Sequence, residues 1–195
     1  MLMKQSKTRD YRKFYAICFI TVVLLILLGL VISLKSTGGL FSKASLSVRN
    51  MSFKKTTFSR AMAKSFRTHI LYSILVLVLS GNPAGLALSG AYIGFKAFST
   101  GALIGLAVKS CTLKKALTIC FCAFVSNVFV FPLYAMLYII SVKYYIGIHS
   151  DNSCFGNVLT DYFSYAARVF IMFALLCISD CIQNAVGILV ISLLG

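Results

Sequence analysis

A chain of 195 residues with 59% hydrophobic and 12% charged positions lies far from the quarter or so of charged residues usual in soluble domains. Its mean hydropathy of +0.92 excludes a globule folded in water. Nineteen Lys and Arg stand against four Asp, with no Glu, for a formal charge of +15; because these cations flank apolar runs, anionic lipid headgroups are their nearer partner and nucleic acid is not expected.

Lipid offers nothing to an unsatisfied backbone group, so a hydrocarbon core of about 30 Å demands roughly 20 apolar residues in one helix. Residues 14–34 meet that demand without a charge. The run is longer than the apolar core of a cleaved signal peptide and no small-x-small site follows it, so it reads as a retained first span. The tail at 1–13 carries Lys4, Lys7, Arg9, Arg12 and Lys13. By the positive-inside rule this tail belongs in the cytoplasm.

Residues 35–68 form a basic outer loop. Within "MSFKKTTFSRAMAKSF", Phe58, Met62 and Phe66 recur at helical spacing, while Lys54, Lys55, Arg60 and Lys64 fall largely elsewhere around the helix. The pattern predicts an interfacial amphipathic helix that rests on lipid or grips a partner.

Residues 69–195 hold four further spans. The apolar stretch at 70–108 is long enough for two, with the turn at "GNP", 81–83, where Asn82 suits an N-cap and Pro83 a first helical turn. The span before the turn, about 67–80, is then short. After it, Ala87, Gly90, Gly94, Ala97, Gly101, Gly105 and Val108 form one narrow face that includes "GAYIG" and "GALIG". Small residues let helix backbones approach closely in lipid; the face serves internal packing or, as the alternative, a homo-oligomer. Lys96 falls near mid-bilayer on this helix. Its expected counterpart is Asp180, the one charge of the run 169–195, with Gln183 and Asn184 extending a polar face beside it. The remaining uncharged run, 116–142, contains Asn127 and Pro132, which together predict a kink held by a hydrogen bond from Asn127 to another helix. The fold class is all-α: a single integral membrane domain of about five transmembrane helices.

Seven cysteines show no C-x-x-C spacing, and His69 and His149 have no carboxylate cluster beside them. No metal site, cofactor, catalytic triad or phosphate loop is expected, and an enzyme is not.

"FRTH" at 66–69, "GFKAFSTGALIG" at 94–105 and "SNVFVFP" at 126–132, in this order and spacing, resemble the stage II sporulation protein M family. The match falls on Phe66, Lys96, Gly101, Gly105, Asn127 and Pro132. His69 stands one residue later than in the family's Phe-x-His, and Val125-Ser126 replaces the commoner pair before the kink. The resemblance implies a polytopic scaffold of the cell membrane, placed at the sporulation septum, that holds peptidoglycan-degrading partners such as stage II sporulation proteins D and P during engulfment. The alternative carried by the residues themselves is a transporter or permease component with an intramembrane polar site.

Overall fold

The computed structural model describes residues 2–36, 39–49, 58–149 and 155–194. Six helices follow one another: α1 Leu2–Lys35, α2 Leu40–Arg49, α3 Phe58–Leu79, α4 Pro83–Ser110, α5 Leu113–Ile148 and α6 Phe155–Leu194. No strand occurs among the described residues. Four segments are long and apolar enough to cross a membrane, Lys13–Lys35, Pro83–Ser110, Leu113–Ile148 and Thr160–Val186, with a shorter apolar helix at Phe66–Leu79. The chain is a polytopic helical membrane protein.

Helix α4 begins where its sequence dictates. Asn82 is the N-cap, its Oδ1 accepting from Ala84 N at 3.0 Å, and Pro83 opens the first turn, where a missing N–H costs nothing. Replacing Asn82 by Ala is expected to lower stability by about 1 kcal/mol. A thermal melt of the detergent-solubilised variant checks this; an unchanged midpoint would show that the turn is held by packing alone.

Helices α1 and α4 run parallel, because Ile26 meets Gly101 and Leu30 meets Gly105 in the same order along both chains. The turn from Ser110 to Leu113 then sends α5 back, and the hydrogen bond of Tyr165 Oη to Ser141 Oγ at 3.3 Å ties α6 against it. α3 is antiparallel to α6: Phe66 rings against Phe173, while Val76 accepts from Tyr165. The core lies between these helices and includes Tyr72, Val76, Ala97, Tyr134, Leu137, Val169 and Leu176.

Two lysines and the helix ends they meet knit the end of the bundle where α1 finishes. Lys109 Nζ donates to the carbonyls of Leu34 and Ser36, and Lys115 Nζ to that of Arg49, so each ammonium meets the last carbonyls of a helix. Val48 of α2 packs with Leu106, Ala107 and Ile119.

Two sequence expectations need correction. The segment expected as a separate interfacial helix is, from Phe58 onward, the first half of α3 itself. From 54 to 80 the chain contains no Gly or Pro, so nothing interrupts the helix where apolar character gives way to basic. α2 was not expected at all. Lys54 and Lys55 lie outside the described residues, as do the side chains of Phe58, Arg60, Met62 and Lys64; Phe66 is exposed on one side and packs on Phe173 at 5.4 Å. The second correction concerns the partner of Asn127 on α5, the helix that contains Pro132. Asn127 reaches no neighbouring helix there: its Nδ2 donates to Ala123 O, one turn back on α5, at 2.7 Å.

Candidate functional site

A polar centre lies inside the bundle and draws one side chain from each of four helices. α3 supplies His69, α4 Lys96, α5 Tyr134 and α6 Asp180. On α3 the residues His69, Tyr72, Ser73, Val76 and Ser80 are all buried and recur at the three- and four-residue spacing of one helix face. That face turns His69 inward.

The contacts form a chain. Lys96 Nζ stands 3.3 Å from Tyr134 Oη and 4.7 Å from the centre of the Tyr134 ring. Tyr134 Oη lies 2.7 Å from His69 Nδ1, and His69 Nε2 lies 2.7 Å from Asp180 Oδ2. One assignment gives each of the three contacts a donor and an acceptor: Lys96 donates to the tyrosine oxygen, the tyrosine hydroxyl to Nδ1, and Nε2–H faces the carboxylate. A neutral imidazole and a neutral phenol then bridge an ammonium and a carboxylate. Protonating His69 instead would turn Nδ1 into a donor and leave the tyrosine proton without its acceptor.

The sequence led us to expect direct pairing of Lys96 with Asp180. The two charges do belong to one cluster, but His69 and Tyr134 stand between them, and the direct contact at Asp180 is made by His69. Asp180 Oδ2 has no other hydrogen-bond partner among the described residues. His69, Tyr134 and Asp180 are 2%, 0% and 3% exposed, so the inner three members of the chain are closed to solvent in this arrangement. Lys96 is half-buried, its cation resting on the aromatic face, a contact that strengthens where water is excluded.

Aromatic rings close the space around the centre. Tyr72 stacks on Tyr92 at 4.7 Å and presents its ring edge-on to Tyr134 at 4.6 Å. Farther along α3, Tyr165 Oη donates to Val76 O at 2.9 Å, a second polar tie between α3 and α6.

The other residues singled out in the sequence distribute as follows. Gln183 Nε2 donates to Ser179 Oγ at 3.0 Å on its own helix, and Asn184 is half-buried one turn beyond Asp180. α6 passes through Ser179 and Asp180 without a break. The small-residue stripe is used within the chain: a Cβ at Gly94 would lie 3.2 Å from Leu25, one at Gly101 would meet the Ile26 carbonyl, one at Gly105 would meet Ser33 and Leu30, and one at Gly90 would lie 3.5 Å from Tyr138 of α5. Among the described residues no cluster of three or more His, Cys, Asp or Glu gathers, and the six described cysteines are free.

Comparison with protein-family models, with curated proteins and with solved structures returns no match. The centre must be read from its own chemistry.

Sequence reasoning missed His69 and Tyr134 as members of the site. The signal for His69 was available in the buried-face spacing of 69, 72, 73, 76 and 80. None existed for Tyr134, one of ten tyrosines.

Proposed function

We propose that the protein is a non-enzymatic, multi-pass membrane scaffold, and that its intramembrane polar centre pins the helices in one arrangement rather than handling a substrate. The observation that carries this reading is the burial of the centre. Ionisable groups at membrane depth pair with one another or line a path for ions and solutes. Here the inner three members are buried and in contact with one another, which suits a fixed core.

The finer role rests on the resemblance: holding membrane-associated peptidoglycan hydrolases, such as stage II sporulation proteins D and P, at the sporulation septum during engulfment. The basic stretch that leads into α3 and forms its first turns, with Lys54, Lys55, Arg60 and Lys64, is the surface proposed to meet those partners or anionic polymer. Crosslinking and capture of the tagged protein from cells entering sporulation test it. Because α3 begins at Phe58, removing 50–64 would cut into a structural helix. The suitable variant exchanges the four cations for Gln. Recovery of hydrolases with the natural protein and their loss with this variant are expected; capture of none by a well-inserted natural protein would contradict the scaffold role.

The transporter alternative keeps one specific support, the line of four polar side chains crossing α4, α5, α3 and α6. Saturable solute uptake by vesicles carrying the purified protein would favour it.

A further inference from the structure

A cavity of about 590 Å³ lies between α3 and α6. Ile70, Ser73, Ile74 and Leu77 line it from α3 and Phe163, Ala166 and Phe170 from α6, each set at the spacing of one helix face. Ile74, Phe163 and Phe170 are exposed, so the cavity opens toward lipid. Two contacts close its ends: Phe66 packs on Phe173 at 5.4 Å, and Tyr165 Oη donates to Val76 O at 2.9 Å.

Ser73 is the one polar residue of this lining among the described residues. It is 7% exposed, and its hydroxyl has no hydrogen-bond partner there. Other hydroxyls of the bundle bond back to their own helices: Ser33, Ser89, Thr118 and Ser141 each donate to a carbonyl three or four residues before. Ser73 does not. A buried hydroxyl without a partner is costly where no water stands in. An occupant that offers it an oxygen therefore gains more than a purely apolar one.

Depth narrows the choice of occupant. His69 touches Tyr134, which touches Lys96 near the midpoint of α4. Ser73 lies one turn from His69, about 6 Å at about 1.5 Å per residue. Phospholipid ester groups begin about 15 Å from the midplane, at the edge of a core about 30 Å thick. A phospholipid thus presents only its acyl chain here and leaves the hydroxyl unpaired. A partner's transmembrane helix of about 30 Å would ride on the two closing contacts, about 15 Å apart along α3, rather than enter between them.

We propose that the cavity binds a membrane-dissolved lipophile with one hydrogen-bonding oxygen in an otherwise apolar body, the oxygen on the Ser73 hydroxyl and the chain against the phenylalanines. Its volume is that of a small-ligand site, in which a few polar groups fix the orientation of an apolar ligand. The site shares no residue with the polar centre and is independent of the scaffold role.

Melting of the full-length protein in detergent, with diheptyl ketone or with pentadecane at equal mole fraction in the micelle, tests the site, since the two probes differ by one carbonyl. A ligand of the folded state raises the midpoint. The ketone is expected to bind about fivefold more tightly than the alkane, the scale of one net hydrogen bond. S73A should remove that preference, while its own midpoint without probe stays at or above the natural one. A166F, which fills the cavity, should abolish the shift by both probes; V78A, on the exposed face of α3 outside the lining, should leave the preference intact. Equal binding of ketone and alkane by the natural protein would overturn the proposal, as would a ketone preference that survives S73A or A166F. So would a lower midpoint for S73A without probe, which would show the hydroxyl already bonded within the bundle.

Discussion

Replacing His69 by Ala should destabilise the protein by about 3 kcal/mol, the cost of leaving a buried carboxylate without the donor that faces it. The reason lies in what remains. Asp180 Oδ2, 2.7 Å from His69 Nε2 and 3% exposed, has no other partner among the described residues, and the Tyr134 hydroxyl loses the ring nitrogen at 2.7 Å. At membrane depth water does not fill the gap cheaply. The loss should therefore be larger than for His→Ala at an exposed position such as His149. Substituting both residues, His69→Leu with Asp180→Leu, should recover much of the stability, because hydrophobic replacement of a whole buried pair is often close to neutral. A double-mutant cycle on thermal or denaturant unfolding in detergent reads the coupling. Additive losses would show that the two side chains do not act as a pair.

Gly101→Leu is expected to be damaging as well, for a steric reason. A Cβ at Gly101 would collide with the Ile26 carbonyl of α1. The obstacle is backbone, so no rotamer change relieves it, and α1 must move away. α1 answers the stripe with its own close approaches: Gly29 would meet Phe98 O and Ala102 N, and Ser33 fills the space over Gly105. In lipid, helix association has packing in place of a hydrophobic drive, so separating α1 from α4 removes most of what holds the first span. Overpacking of cores costs about 1 to 3 kcal/mol and occasionally more; with a backbone clash the upper end is expected. Gly81, with nothing within 4 Å, should accept Ala without loss. Protease resistance and melting of the two variants in detergent distinguish them. If Gly101→Leu melts like the natural protein but changes its oligomeric state, the stripe joins copies of the chain and not α1 to α4.

What could be read from the residues follows their physical character. The start of α4 was legible because Asn82 and Pro83 are local signals, sufficient without knowledge of the fold. The glycine stripe was legible because periodicity is local too, although the chain alone did not say which helix it meets. Lys96 and Asp180 stood out because charge in lipid is costly. Their connection did not: two neutral side chains complete it, and neutral side chains carry no such cost in a sequence. The boundary of α3 was misplaced because hydropathy was allowed to set it. Backbone helicity ignores the change from basic to apolar at Phe66, and the residues on both sides are compatible with one helix. α2 was missed because "LFSKASLSVR" is short and nearly balanced between polar and apolar, and gains its place by packing Val48 on α4 and α5.

The reading of the centre as a pin and of the protein as a scaffold makes one joint demand, that partner capture survive when the centre is made apolar. The measurement is capture of cell-wall hydrolases by the His69→Leu/Asp180→Leu protein, after its insertion and melting have been checked against the natural chain. Capture at the natural level by a stable double variant is the expected result. A stable, well-inserted double variant that captures nothing would mean that the buried side chains take part in function directly, and would contradict the structural role assigned to them.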